Sequence, residues 1–229
     1  MKRPFPQYTG YGEVKLALQA VIFDFGKVLT GPPVAAAHAE LVRITGLPLD
    51  RFENLYWADR PAYDEGKMTG LEYWHNLARK AQLNLSEATL EELNQWDARM
   101  WAGENLAMLA WQLQLKERGL RTAILSNMGD AVYEHIAREL DWLNRFDLLV
   151  WSYQLRTAKP DPAIYRYALD RLGLRGEETL FLDDKPENTQ AAAALGIQTI
   201  VYSSMAKLRE ELIARKLDAV LPLPIVSVP

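Results

Sequence analysis

The chain contains no cysteine, only three histidines and no excess of basic charge. The absence of cysteine excludes disulfides, thiolate nucleophiles and zinc-thiolate centres. His38, His75 and His135 are scattered over helical stretches without metal-ligand spacing to one another, so they read as surface or packing residues. With 26 Lys plus Arg against 30 Asp plus Glu, there is no global basic field for nucleic acid, and a small anionic substrate must be drawn by local charge. No apolar run approaches the roughly 18 residues of a membrane span, and MKRPFPQYTGYGEVK lacks the apolar segment of a signal peptide. A cytoplasmic protein with no membrane partner is the expectation. Nothing in the sequence reads as an internal repeat or a low-complexity segment.

What is present is apolar content in two arrangements. At 229 residues and 49% hydrophobic, the chain can bury one large or two modest cores. Residues 20–24 read as a strand, whereas 34–102 show only helical periodicity broken by turn signals. Gly46 ends a first helix, Asp50 caps a second, Gly66 ends it, Thr69 and Glu72 form a capping box for a third, and Ser86 starts a fourth. From Glu104 onward helices and strands alternate, with helices over 105–118, 130–140, 162–172, 187–195 and 204–215. Strands are expected at 121–126, 147–151, 179–183 and 198–202. Alternation of this kind implies right-handed crossovers and a parallel sheet. The expected fold is α/β, a Rossmann-like parallel sheet core over 1–31 and 103–229, with an all-helical cap over 32–102 inserted after the first strand. The tail LPLPIVSVP is expected to lie extended on the surface, and Trp57, Trp74, Trp96 and Trp101 to form a small core within the helical insertion.

Polar residues stand at or just beyond the ends of the apolar runs: Asp24 after Val21, Ile22 and Phe23, Ser126 in AILSN, Lys159 in TAKPDP, and Asp183 and Asp184 in LFLDDKPEN. In a parallel sheet ligands bind beyond the carboxyl ends of the strands, so these residues converge. Three carboxylates, a hydroxyl and an ammonium suit Mg²⁺ and phosphate and suit a packed core poorly. Attack on a phosphate monoester by an anion requires its charge to be neutralised by a metal and an ammonium. Here a carboxylate can be the nucleophile, Lys159 the ammonium, and Ser126 with the backbone amides after it, starting at Asn127, the hydrogen-bond donors to phosphoryl oxygens. Asp161 and Pro162 are suited to start the following helix as N-cap and first residue, and Asn188 to start another helix or to brace the site from outside.

FDFGKVLT, LSN, KPDPAIY and FLDDKPEN, in this order from Phe23 to Asn188, resemble the four motifs of the haloacid dehalogenase (HAD) superfamily, subfamily I. The resemblance implies that Asp24 is the nucleophile and a Mg²⁺ ligand and that Gly26 offers its backbone carbonyl to the metal. It further implies that Ser126 and Lys159 bind phosphate, that Asp184 is the second metal carboxylate, and that Asp183 is a further ligand or an outer group. In the family, a cap between the first two motifs covers the site, which makes Arg60, Tyr63 and Lys67 in YWADRPAYDEGKMT candidate substrate contacts beside Asn127.

One departure bears on activity. Most phosphatases of the family carry a second Asp two residues after the nucleophile, as acid and base; here Gly26 stands there, followed by Lys27 and Val28 in place of the usual Gly and Thr. General acid-base help is worth about 10²- to 10⁴-fold. The ammonium of Lys27 stands either at the mouth of the site or in solvent. The resemblance implies a Mg²⁺-dependent phosphohydrolase acting on a small phosphorylated metabolite, sugar phosphates among the candidates, through an aspartyl phosphate. Two alternatives stand beside it: a nonenzymatic phosphate-binding protein that lost turnover with the second Asp, and a metal-independent haloacid dehalogenase, which the double acidic motif disfavours.

Overall fold

The computed structural model describes residues 18–224. Five strands, β1 (Ala20–Phe23), β2 (Arg121–Ser126), β3 (Leu148–Trp151), β4 (Thr179–Asp183) and β5 (Gln198–Val201), form one sheet in the order β3-β2-β1-β4-β5. Every pair is parallel. β1 is flanked by β2 and β4, whose connections leave in opposite directions, so the carboxyl end of β1 is the switch point at which such sheets bind ligands.

Side chains alternate across β1. Val21 and Phe23 enter one core, with helices α5 (Leu106–Glu117), α6 (Asp130–Glu139) and α10 (Met205–Ala214), while Ala20 and Ile22 enter the other, with α8 (Pro162–Leu172) and α9 (Pro186–Ala193). The result is a helix-sheet-helix sandwich, which is why these strands read as continuous apolar runs. The part of the tail within the described residues departs from the expected surface course. Leu221 and Leu223 are buried in the first core, and the carbonyl of Pro222 accepts from Trp111 Nε1 at 3.1 Å. Leucines at alternate positions gave the tail enough apolar surface to dock. The remainder of that tail, and the amino-terminal stretch read for a signal peptide, lie outside the described residues.

The segment between β1 and α5 is helical, as expected: α1 (Ala35–Thr45), α2 (Leu49–Asp64), α3 (Gly70–Ala81) and α4 (Glu87–Trp101). Gly46 caps α1 in the left-handed region, Thr69 and Glu72 form the capping box of α3, and Ser86 caps α4 through the amide of Thr89. Asp50 is not a cap: α2 starts at Leu49 after Pro48, and Asp50 sits in its first turn, where a negative charge meets the helix dipole. These helices enclose a core of their own around Phe52, Tyr56, Tyr73, Trp74, Leu77 and Leu93. Trp74 is buried there as expected, but Trp57 is 49% exposed. The chain leaves and re-enters the sheet layer side by side, with Gly31 N donating to Gly103 O at 2.7 Å and Val34 N to Met100 O at 2.9 Å. Among the described residues no helix is long and apolar enough to cross a membrane.

A second junction fastens the cap to the sheet layer. The α2–α3 turn sits on the loops that follow β2 and β3. Ser152, the first residue of the short helix α7 (Ser152–Leu155), donates to the carbonyl of Asp64 and accepts from Met128 N at 2.9 Å. Gly70 N donates to Asp130 Oδ1 at 2.9 Å. The ring of Tyr63 lies against Gly129 so closely that a Cβ at position 129 would overlap it. Gly129→Ala is therefore expected to destabilise the protein by about 1–3 kcal/mol through overpacking against a rigid ring, read as a lower urea midpoint. Its backbone angles, φ −78 and ψ 166, are open to any residue, so unchanged stability would mean that the ring yields.

Candidate active site

The carboxyl ends of β1, β2 and β4 and the loop before α8 bring Asp24, Ser126, Lys159, Asp183 and Asp184 to one cavity of about 550 Å³, closed on its far side by the cap. Asp183 is fully buried just behind its lining. Lys159 organises the floor, its Nζ lying 2.8 Å from Asp24 Oδ1 and 2.6 Å from Asp183 Oδ2. Burial opposes its charge, but the two carboxylates outweigh that and hold its pKa above the ordinary value. Asp24 Oδ1 also accepts from Phe25 N at 2.7 Å, which leaves Oδ2 without a protein donor among the described residues. Burial pushes Asp24 up to about 6 against the pull of Lys159, and Asp183 and Asp184 add to the rise.

The two acids of the DD pair are inequivalent. Asp183 accepts from Lys159 Nζ, from Lys185 N at 2.8 Å and from Asn188 Nδ2 at 3.0 Å, so its oxygens are saturated. Asp184 is partly open, and its partner is Lys27 Nζ at 3.2 Å. One oxygen from each of Asp24, Asp183 and Asp184 lies within 4.8 Å of the others. Such a set of hard oxygens fits a divalent cation of the Mg²⁺ type, and Asp184 is the least committed of the three acids.

The turn after Asp24 is braced by Thr30, whose Oγ1 accepts from Lys27 N at 3.1 Å and donates to Phe25 O at 3.2 Å. Gly26 has φ −65 and ψ 128, open to any residue, whereas Lys27 is left-handed at φ 60. A Cβ on Gly26 would meet nothing within 4 Å, so the site has an open space there.

Asn127 lines the cavity, and its side chain also has a structural task. Its carboxamide brackets the backbone of Lys159, donating to the carbonyl at 2.8 Å and accepting from the amide at 2.8 Å, so its side chain ties the β2 loop to the lysine loop. Ser126 Oγ has one long contact, 3.5 Å to Asn127 O, and is the hydroxyl left for a ligand. Asp161 caps α8 through Ala163 N, as its sequence suggests.

Of the three cap candidates, only Arg60 lines the cavity. Tyr63 is buried beneath it, stacked on Tyr73 with centroids 5.0 Å apart, and Lys67 is exposed and pairs with Glu65 at 2.6 Å. Arg60 is buried beside two carboxylates that the sequence reading missed: Nε donates to Asp64 at 2.9 Å, and Nη1 to both oxygens of Asp97 at 2.9 Å. Tyr56 completes the network, donating to Asp97 at 2.6 Å and accepting from Trp101 Nε1 at 3.1 Å. A signal for this pair was available. Asp97 follows Leu90, Leu93 and Asn94 on the buried stripe of α4, and Arg60 follows Phe52 and Tyr56 on that of α2. Opposite charges on the apolar stripes of neighbouring helices require each other. Trp57, expected in the small core, instead lines the cavity, where it meets Trp101 edge to face at 6.4 Å; Trp101 and Trp96 pack against the cap core as expected.

A family model of haloacid dehalogenase-like hydrolases matches residues 18–196. Bifunctional epoxide hydrolase 2 of Mus musculus is 30% identical over 213 residues, which cover 85% of this chain and 38% of that protein. Phosphatase MT3486 of Mycobacterium tuberculosis is 27% identical over 202 residues, covering 85% of this chain and 92% of that one. The chain thus spans well under half of the first relative and nearly all of the second. Among solved structures, a HAD family enzyme from Bacteroides thetaiotaomicron in complex with magnesium and inorganic phosphate superposes with a TM-score of 0.70 at 20% identity, over 84% of this chain and 99% of that chain. That likeness is one of fold, but the family model spans β1 to β4 and with them every acid and the lysine of the cavity floor. On that match the chain belongs to the haloacid dehalogenase-like hydrolase family.

Proposed function

We propose that this chain is a Mg²⁺-dependent phosphohydrolase acting on a small phosphorylated metabolite, with Asp24 as nucleophile. The observation that carries the reading is the cluster of Asp24, Asp183 and Asp184, with the ammonium of Lys159 between the first two and Asp24 Oδ2 free. Three acids against the ammoniums of Lys159 and Lys27 leave a net negative charge that a cation must balance before a phosphate dianion can enter. A bound Mg²⁺ supplies that balance, and Asp24, Asp184 and the Gly26 carbonyl would hold it while Asp183 braces Lys159 from behind.

In this reading Lys159 and Ser126 hold the phosphoryl oxygens, and the amide after Ser126 donates to them. Asp24 Oδ2 attacks phosphorus in line with the departing ester oxygen, and the aspartyl phosphate is then hydrolysed by water. Arg60 has its Nε and Nη1 committed to Asp64 and Asp97, and Nη2 is the donor it retains for substrate. Tyr63 and Lys67 do not line the cavity, and we assign Tyr63 to docking the cap. The indoles of Trp57 and Trp101 line the cavity beside Asp64 and Glu65, and such a mixed apolar and polar wall suits a body with both C–H groups and hydroxyls, which favours sugar phosphates. A dehalogenase acting at carbon has no need of the open carboxylate at Asp184, which favours phosphorus chemistry.

Turnover of a panel of phosphorylated metabolites with and without Mg²⁺ tests this reading, and metal-independent release of halide from haloacids would replace it. Calorimetry adds a second test. Asp184→Ala should lose Mg²⁺ affinity at least about tenfold, since it removes an open charged ligand. Wild-type affinity should fall as pH drops below about 6, because Asp24 there takes up the proton that competes with the cation. Equal affinity in variant and wild type would remove Asp184 from the metal site.

A further inference from the structure

An alkoxide leaving phosphorus is strongly basic and needs a proton as the bond breaks. Gly26 has none to give. The departing oxygen lies opposite Asp24, and therefore on the side of the cavity that the cap closes. Among the lining groups, Lys159 is held by Asp24 and Asp183 and Lys27 by Asp184, Asp161 is fixed as the cap of α8 on the floor side, and Lys185 follows the acids at the end of β4. That leaves the carboxyls at the end of α2 as the titratable acids carried by the cap. Arg60 cannot release a proton at neutral pH, and Glu65 is drawn to the exposed Lys67.

From this arrangement we infer that Asp64, at the end of α2, is the acid and base that serves the leaving oxygen and the attacking water; this rests on the phosphohydrolase reading. Asp64 lines the cavity, and its Oδ1 is held by Arg60 Nε at 2.9 Å, which leaves Oδ2 as its free oxygen. Its backbone is fixed from the sheet side, because the Ser152 hydroxyl that binds its carbonyl also binds the amide of Met128, two residues after Ser126. The helix end that carries the acid is thus positioned by the loop that carries the phosphate donors. Burial raises the Asp64 pKa above the ordinary carboxylate range, against the charges of Arg60 and Lys185, and Asp97 adds to the rise. A carboxyl with that bias can hold a proton and give it up.

The proton balance closes. As the bond from Asp24 Oδ2 to phosphorus forms and the ester P–O bond breaks, the Asp64 carboxyl gives its proton to the departing oxygen, which leaves as an alcohol. The Asp64 carboxylate then takes a proton from water as the water oxygen bonds to phosphorus. The bond from phosphorus to Asp24 breaks, phosphate is released, and both aspartates return to their starting forms.

The test is kcat/KM for alkyl and aryl phosphates in wild type, Asp64→Asn, Glu65→Gln and the double variant Asp64→Asn/Gly26→Asp. Asp64→Asn keeps an acceptor for Arg60 and should lower the alkyl-to-aryl ratio of kcat/KM about 100-fold, since aryl oxides leave without a proton. The double variant should recover part of the alkyl rate, because φ at Gly26 and the open space beside it accept an aspartate. An equal loss on both ester classes would mean that Asp64 acts only by holding Arg60, and the assignment fails. The leaving-group signature in Glu65→Gln but not in Asp64→Asn would move the role one residue along. Absence of wild-type turnover on any ester, with Mg²⁺ and phosphate still bound, overturns the phosphohydrolase reading and this assignment together, whereas an active wild type with a flat Asp64→Asn response overturns only the latter.

Discussion

Asp24→Asn is expected to lower turnover of every phosphate ester by about 10⁴-fold or more, the scale on which removing a group that acts as a unit with its site is felt. The amide oxygen is a poor nucleophile, and the variant also withdraws one carboxylate from the cation. The fold should survive, because Lys159 keeps Asp183 at 2.6 Å. Stability should rise, and the sign follows from the raised pKa. An acid lifted from 3.8 to about 6 by folding favours the folded state while it is protonated, and that advantage is lost as pH rises through 6. In metal-free protein Asp24→Asn should therefore be more stable than wild type above pH 6, with the difference vanishing below about pH 4. Denaturation curves in chelator at pH 7.5 and pH 4 measure it. Wild-type turnover by the variant, purified free of host phosphatases, would exclude covalent catalysis at this residue.

The largest stability loss is expected in the cap. Asp97 is fully buried, and its oxygens accept from Arg60 and Tyr56 at 2.6–2.9 Å. Asp97→Ala leaves a buried guanidinium with Asp64 as its remaining carboxylate, and removing one partner of a buried ion pair costs about 3–5 kcal/mol. Because Asp64 retains part of the compensation, about 3 kcal/mol is expected, read as a lower urea midpoint. Asp97→Asn, which keeps an acceptor, should lose about half as much. A loss below about 1 kcal/mol in Asp97→Ala would mean that water reaches the guanidinium when the acid is removed.

The sheet and the floor of the site were readable in the sequence for the same reason. Strands buried on both faces are apolar throughout, so Asp24, Ser126 and Asp183 stand out where those runs end, and their types name the chemistry. The helix caps at Gly46, Thr69 and Ser86 were readable because capping is a local event. What was hidden depends on pairings across the fold. Asn127 reads as a ligand residue and lines the cavity, but the closure of its carboxamide on the backbone of Lys159, 32 positions away, has no local signal. Tyr63 looks like a specificity residue until Gly129 is seen to make room for its ring. Asp64 stands in the sequence beside Arg60, Tyr63 and Lys67 at a helix end, but that it faces the same cavity as Gly26, 38 residues earlier, depends on the folded chain.

The cap is joined to the sheet layer at the paired crossing of residues 30–34 with 100–104, along the packing of α4 on α6, and at the α2–α3 turn seated on Ser152 and Gly129. A body fastened at one place can swing in any direction, but one fastened at three keeps no free axis. The cap therefore cannot lift away like a lid without breaking one junction. Trp57, half exposed on the cavity wall, is then a cap group that an entering substrate can meet with every junction intact.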